Sequence, residues 1–218
     1  MLHVFISGPI RPSLNLILLC LRTLKDQLPP CKIWFSTWDT SEPLNALRAE
    51  VDVLIVNPEP IFRSNAKTFE GRAYPNSVDG TNARTFKMFA GIENIFKVAQ
   101  CADDDIVIRF RSDLLAKFAP GYLQHFIEGG KHGYVTRRRF TSLCAFDDWF
   151  GITTYANMKK VWCHGSLQEF EENMNASHNP EDMVKRRVEK HGLRVLQIDE
   201  RRIDFAICRS LNGRYRLD

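Results

Sequence analysis

No two cysteines of this chain form a C-x-x-C pair. The six (Cys20, Cys31, Cys101, Cys144, Cys163 and Cys208) are scattered, several of them inside apolar runs. That spacing excludes a zinc ribbon or a small disulfide framework and fits reduced thiols packed as small hydrophobes. The six histidines show no ligand spacing either, which argues against structural zinc. No P-loop, no G-x-G-x-x-G and no Ser/His/Asp order occurs, and kinase, dehydrogenase and hydrolase readings lose support accordingly. The apolar run Leu16–Leu21 is far too short to span a bilayer and lacks the charged lead of a signal peptide. A cytoplasmic protein without a transmembrane segment is the expectation. Repeats and low-complexity tracts are also missing.

What is present is ordinary for a globular chain of 218 residues: 44% hydrophobic, 26% charged, with a net charge of +4. One compact domain is expected. The mild basic excess suits an anionic partner such as a nucleotide diphosphate, a membrane surface or a nucleic acid, without choosing among them. Two basic runs stand out, Arg137-Arg138-Arg139 and Lys185-Arg186-Arg187. They read first as solvated surface charge. Lacking interleaved aromatics, they give little support to nucleic-acid binding. A basic surface would also permit peripheral association with a membrane.

Along the chain, a short strand Val4–Ser7 ends in Gly8-Pro9, and Ser13 caps a helix whose apolar stripe runs from Leu14 to Leu28 before Pro29-Pro30. Strands at Lys32–Thr37 and Val51–Val56 follow, which is the opening of a parallel α/β sheet. In such sheets the carboxyl ends of the strands carry the ligand crevice. Residues 62–83 read as a long polar loop, and a helix is expected over Arg84–Gln100. The strongest strand, Asp105–Phe110, runs into Arg111-Ser112-Asp113. If the extended conformation persists, Val107, Arg109, Arg111 and Asp113 share one side. Gly129-Gly130 reads as a break before a strand at His132–Thr136. Further elements are a strand at Phe150–Thr154, a helix at Asn157–Trp162, a polar loop over 173–180, a helix Glu181–His191, and strands Arg194–Ile198 and Ile203–Cys208.

Gly8-Pro9-Ile10, Phe35-Ser36-Thr37-Trp38-Asp39, Asn82-Ala83-Arg84, Ile108 to Asp113 and Asp148-Trp149-Phe150 occur in that order. In order and spacing, over nearly the whole chain, they resemble the WavE-type lipopolysaccharide-synthesis glycosyltransferases, a family with relatives in large DNA viruses. For a viral chain the compartment would be the host cytoplasm. The resemblance implies a single GT-A α/β domain with a mostly parallel sheet flanked by helices. Residues 1–113 would be its nucleotide-sugar-binding half and 114–218 its acceptor-binding half. It further implies transfer of a sugar from a nucleotide-sugar donor to a glycan, glycolipid or lipopolysaccharide-type acceptor. A non-catalytic nucleotide- or glycan-binding descendant is the alternative.

The resemblance assigns roles that the residues' own chemistry can be weighed against. GT-A enzymes commonly hold Mn²⁺ or Mg²⁺ with a D-x-D motif after a central strand, to meet the charge that grows on the leaving diphosphate. Here Arg111 replaces the first acid, so Asp113 is the one expected metal ligand, and Arg111 itself could contact phosphate oxygens. The alternative is an ion pair of Asp113 with Arg111 or Arg109. Gly8, Pro9 and Ile10 would let the backbone approach the nucleotide, though a Gly-Pro pair alone is only a turn. Asp39 reads as a ribose or base contact or a helix cap. Asn82 and Arg84 are donor contacts, or in the case of Arg84 a surface arginine. Asp182, with Glu181 as fallback, is similar to the acid of the inverting E-D motif that deprotonates the acceptor. The competing role is stabilisation of a first helical turn. Asp147 and Trp149 are acceptor-subsite candidates, Asp148 a further catalytic one, and Trp149 has a core position as its alternative.

Overall fold

The computed structural model describes residues 1–10, 13–38, 43–62, 81–137, 146–198 and 203–207. Its strands are β1 (Leu2–Ser7), β2 (Lys32–Trp38), β3 (Val53–Asn57), β4 (Ile106–Arg111), β5 (Leu114–Phe118), β6 (Tyr134–Arg137), β7 (Phe150–Thr154), β8 (Val195–Ile198) and β9 (Ile203–Ile207). Its helices are α1 (Leu14–Lys25), α2 (Asn45–Arg48), α3 (Thr81–Val98), α4 (Tyr122–Gly130), α5 (Tyr155–Trp162), α6 (Leu167–Asn175) and α7 (Pro180–Lys190).

Seven strands form one sheet in the order β3-β2-β1-β4-β7-β6-β8, with β7 antiparallel to both of its neighbours and the other pairs parallel. Both halves of the chain contribute strands. β5 and β9 make a separate antiparallel ribbon. β1 is buried along its whole length because alternate residues feed two cores, as a strand covered on both faces must. Val4 and Ile6 share one core with residues of α1, α4 and the ribbon, whereas Phe5 belongs to a second with residues of α3 and α5. Ile106, Ile108 and Phe110 of β4 join the first core and Val107 the second.

Local sequence explains most ends. Ser13 Oγ accepts the Leu16 N–H at 3.4 Å and opens α1 as expected. Asn179 caps α7 by accepting the Asp182 N–H at 2.8 Å, with Pro180 in the first turn where its missing N–H costs nothing. Three elements go beyond the sequence expectations. The Gly129-Gly130 pair does not break the chain but ends α4. A Cβ on Gly130 would lie 2.7 Å from Ile152 Cγ2, so the glycine lets the helix sit on β7. α6 occupies 167–175, part of which reads as loop, because Ser166 caps it at the Glu169 N–H. Extension does not persist past Arg111: a turn at Ser112-Asp113 reverses the chain into β5.

Opposite Arg109 on β7 stands Gly151, and a Cβ there would fall 2.3 Å from Tyr134 Oη. Tyr134 is fully buried and accepts the Trp162 indole N–H at 3.2 Å, so it cannot retreat. Gly151→Ala is expected to cost about 2–3 kcal/mol through overpacking. In a chain of this size that lowers the melting temperature by roughly 5–10 °C. An unshifted thermal melt would refute the crowding.

His164 packs edge-on to Phe89 and Phe170, and its Nε2 lies 3.1 Å from the Asn173 amide nitrogen. Burial, helped by the Arg187 charge, pushes its pKa down to about 3, against a smaller opposing effect of Glu169. Lys190 also faces it, and Glu93 accepts its backbone N–H. The folded state therefore holds neutral imidazole while the unfolded chain protonates near 6.5. Between those values the unfolded state binds the extra proton, and stability falls as pH falls. From pH 7 to 5 the loss from this one group is about 2 kcal/mol. Chemical denaturation of wild type and His164→Gln at both pH values should show the variant losing correspondingly less. Equal losses would mean that the imidazole does not titrate on unfolding.

Candidate functional site

The carboxyl ends of β1, β2, β4 and β6 point to one edge, and the antiparallel β7 begins there. This brings Gly8-Pro9, Arg111-Ser112-Asp113, Arg137 and Asp147-Asp148-Trp149 into one region from four distant stretches of chain. The Gly8 loop is tied to the end of β4: Ser112 Oγ donates to the Pro9 carbonyl at 3.0 Å, and Ser112 N–H donates to the Ser7 carbonyl at 3.1 Å. Gly8 has φ +148°, a region side chains disfavour, and a Cβ there would lie 2.2 Å from Ser112 Oγ. The Gly-Pro turn is thus a close contact between two strand ends. Ile10 packs against the core beneath it.

At the end of β4, Arg111 and Asp113 form a fork: Nε donates to Oδ1 and Nη2 to Oδ2, both at 2.9 Å. Among the described residues Asp113 has no other hydrogen-bond partner. The paired alternative is therefore the arrangement present, with Arg111 rather than Arg109. Burial works against the Arg111 charge, but the field and hydrogen bonds of Asp113, with Asp148 and Asp147 behind it, outweigh burial and raise the pKa. Arg111 stays charged.

Asp147 is fully buried. Its Oδ2 accepts from Arg137 Nε and its Oδ1 from the Trp149 N–H, each at 2.9 Å. The Trp149 ring is flanked by two guanidiniums, with Arg137 Cζ 5.2 Å and Arg111 Cζ 5.7 Å from its centroid. Both lie within cation–π range. Trp149 is half-buried against the core, so its two expected roles are not exclusive. Arg137 departs from expectation. The run Arg137-Arg138-Arg139 reads as solvated charge, yet Arg137 is buried and salt-bridged. Its place at the end of a strand was the available signal. Arg138 and Arg139 lie outside the described residues.

Arg109 is fully buried beneath this cluster. It donates through Nη1 to the Asp148 carbonyl and lies 4.2 Å over the Trp162 ring, leaving Nε and Nη2 without partners. Burial lowers its pKa to about 10 despite the opposing field of Asp148, so it remains protonated at neutral pH. Other orphaned polar atoms gather at the same edge: Ser7 Oγ, Ser36 Oγ, Thr37 Oγ1, Thr136 Oγ1, Asp148 Oδ1 and Asn82 Oδ1 are buried and unpartnered. Native proteins leave few such atoms without a reason. Asn82 opens α3 in a buried position, while Arg84 points outward and is exposed. Asp39 lies outside the described residues.

Asp182 belongs to the first turn of α7. Its Oδ2 accepts the His178 N–H at 3.1 Å and Arg186 Nε at 3.3 Å, so it does act as a cap. Oδ1 has no hydrogen-bond partner among the described residues. α7 descends into β8, so its first turn faces the carboxyl edge, but no hydrogen bond or ion pair joins Asp182 to the Arg111 cluster. Glu181, beside it, is half-buried. The second basic run also splits. Arg187 is buried, donating to the Lys160 and Val161 carbonyls and to Glu169, while Lys185 pairs with Glu189 on the surface.

The donor set at Asp113 does not suit a resident Mn²⁺ or Mg²⁺. Both oxygens of the one carboxylate are occupied by a guanidinium. A divalent ion would have to take both oxygens from that guanidinium, with no second carboxylate on the Arg111-Ser112-Asp113 segment to help hold it. Nor do Asp113, Asp147 and Asp148 converge as ligands. Among the described residues, the one group of three or more potential ligands with atoms within 4.8 Å of one another is His3, Cys101 and Asp105. That group is at the opposite edge and is also ill-suited. His3 Nδ1 accepts the Trp34 indole N–H, which leaves the ring proton on Nε2 facing Asp105. Burial holds the Cys101 thiol up near a pKa of about 11.

No family model matches this chain, and no curated protein matches it in sequence. Solved structures do share its architecture. The glycosyltransferase GlyE of Streptococcus pneumoniae TIGR4 aligns over 92% of this chain and 46% of its own, at 14% identity and a TM-score of 0.56. This chain thus spans less than half of GlyE. The galactosyltransferase LgtC, solved with donor and acceptor sugar analogues, aligns over 91% of this chain and 74% of its own, at 12% identity and a TM-score of 0.53. A nucleoside-diphosphate-sugar pyrophosphorylase of Vibrio cholerae RC9 aligns over 94% and 95%, at 8% identity and a TM-score of 0.50. Likeness at these identities is likeness of fold, and the fold is the expected GT-A α/β type. Among the described residues no helix is long and apolar enough to cross a membrane.

Proposed function

We propose that this chain transfers a sugar from a nucleotide-sugar donor to a glycan or lipopolysaccharide-type hydroxyl, using the carboxyl edge of its sheet. The supporting observation is the concentration there of three arginines, a half-buried tryptophan and unsatisfied buried polar atoms, at the position where open α/β sheets bind ligands. The lipopolysaccharide-type acceptor rests on the ordered motifs from Gly8-Pro9-Ile10 to Asp148-Trp149-Phe150.

In this reading the Gly8-Pro9-Ile10 turn and Asn82 border the nucleoside and Arg111 faces the diphosphate. The acceptor oxygen attacks the anomeric carbon. The bond from that carbon to the diphosphate oxygen breaks, and the electron pair leaves with the diphosphate. The hydroxyl proton passes to Asp182 Oδ1, with Glu181 as the fallback base. One displacement of this kind inverts the anomeric centre. Trp149 is the half-buried aromatic against which a sugar would pack, and Asp147 fixes the backbone that carries it.

Thermal-shift titration with UDP-, GDP- and TDP-sugars tests the reading. A ligand at about 100 times its Kd adds about 2.7 kcal/mol to folded-state stability. That corresponds to a rise of roughly 5–10 °C. Silence towards all of them would remove the proposal. Donor binding without transfer to any acceptor would instead favour a binding domain derived from an enzyme. Release of pyrophosphate from a nucleoside triphosphate and a sugar phosphate would move the chain to the nucleotidyl-transfer chemistry named for the Vibrio protein.

A further inference from the structure

We infer that the donor's diphosphate is bound by the Arg111 guanidinium without a divalent cation, and that Asp113 is an internal counter-anion which the diphosphate displaces. This rests on the nucleotide-sugar reading above and identifies the charge that site uses.

The fork between Arg111 and Asp113 presents two parallel N–H donors to two oxygens. A phosphoryl group offers the same pair of oxygens, so carboxylate and diphosphate compete for one pair of donors. Arg111 is the more accessible partner, with its side chain 26% exposed against 16% for Asp113. A ligand arriving from solvent therefore meets the cation first, and a displaced Asp113 carboxylate has solvent to turn into. Arg111 remains charged whether or not Asp113 is engaged, because an arginine guanidinium does not deprotonate at neutral pH. Trp149 lies beside both Arg111 and Arg137, and Arg137 is held on Asp147. The tryptophan's neighbours on that side thus stay in place while the Arg111 fork exchanges partners.

The cation alternative needs several carboxylate or carbonyl oxygens gathered at one point. Asp113 supplies two oxygens, both already engaged, and the nearby Asp147 spends its own on Arg137 and the Trp149 N–H. A metal ligand and a counter-anion respond to mutation with opposite signs. Replacing a metal ligand abolishes cation-dependent affinity, whereas replacing a counter-anion removes a competitor and leaves affinity equal or higher.

Calorimetric titration of the full chain with UDP, GDP and TDP, in chelator and again with Mn²⁺, separates the cases. The expected result is binding of at least one nucleoside diphosphate with the same Kd in chelator and in Mn²⁺. Asp113→Asn should bind it as tightly or tighter. Arg111→Gln should weaken it by roughly 10- to 100-fold, the worth of a charge-assisted fork. Arg111→Lys should recover only part of that, since lysine keeps the charge and loses the fork. Melting curves of the three variants establish that each is folded, and Asp113→Asn, nearly isosteric, carries the decision if Arg111→Gln is not. Binding that requires Mn²⁺ and disappears in Asp113→Asn overturns the inference while leaving the nucleotide-sugar reading intact. Absence of nucleotide binding under every condition overturns both.

Discussion

Arg109→Met is expected to destabilise the fold by about 3 kcal/mol, yet by only about 1 kcal/mol in an Asp148→Asn background. Arg109 is a protonated side chain with no exposure, and its one hydrogen bond goes to a backbone carbonyl. Its charge is compensated at a distance by Asp148, the largest influence favouring its protonated form, whose own Oδ1 is buried without a partner. Removing the arginine strips that buried carboxylate of a cationic neighbour and leaves it the weaker support of Arg111. Once Asp148 is neutral, the loss reduces to one hydrogen bond and the stacking on Trp162. A double-mutant cycle by chemical denaturation measures the difference, and strictly additive costs would show that the two charges do not support each other. The same cycle read through donor binding reports whether the Asp148 carbonyl, held by Arg109, positions the Asp147–Trp149 turn.

Asp182→Asn is expected to lower turnover by about 100- to 10,000-fold with little change in donor affinity or melting temperature. In the proposed reading the carboxylate has two separable duties. Oδ2 caps the first turn of α7 by accepting the His178 N–H, and an asparagine oxygen can do the same. Oδ1 is not engaged, and only a carboxylate there can take a proton from an acceptor hydroxyl. Asp182→Ala should lose both duties, with a stability cost of about 1 kcal/mol added to the loss of turnover. Wild-type turnover in Asp182→Asn would reduce the residue to a cap and pass the base role to Glu181.

The elements that local chemistry specifies were readable in the chain. Ser13 before an apolar stripe set the start of α1, and the helix expected over Glu181–His191 is α7 within a residue at each end. The apolar strand running into Arg111-Ser112-Asp113 marked the centre of the sheet, and β4 is central. α4 and β5 were not readable, because their reasons are not local. Gly129-Gly130 looks like a break until Ile152 is seen to need the space. Leu114–Phe118 is a strand because β9, some ninety residues later, pairs with it.

The site divides in the same way. Arg111, Asp113, Asp147, Asp148, Trp149 and Asp182 could each be singled out, because acidic, basic and aromatic residues at strand ends and helix starts are unusual enough to notice. Their partnerships could not, apart from the ion pair of Asp113 with Arg111 or Arg109 that stood as an alternative. Arg137 reads as one of three consecutive surface arginines until the antiparallel β7 brings Asp147 beside it at 2.9 Å. Asp113 reads as a metal ligand or as the ion-pair partner of Arg111 or Arg109, and the turn after β4 sets it on Arg111. The sequence by itself determined the α/β class and the residue types that stand at the carboxyl ends of its strands. These follow from periodicity and turn chemistry, which act over a few neighbouring residues. Only the tertiary structure decided which charge neutralises which. Ion pairing depends on distances of a few ångströms between groups whose separation along the chain says nothing about their separation in space.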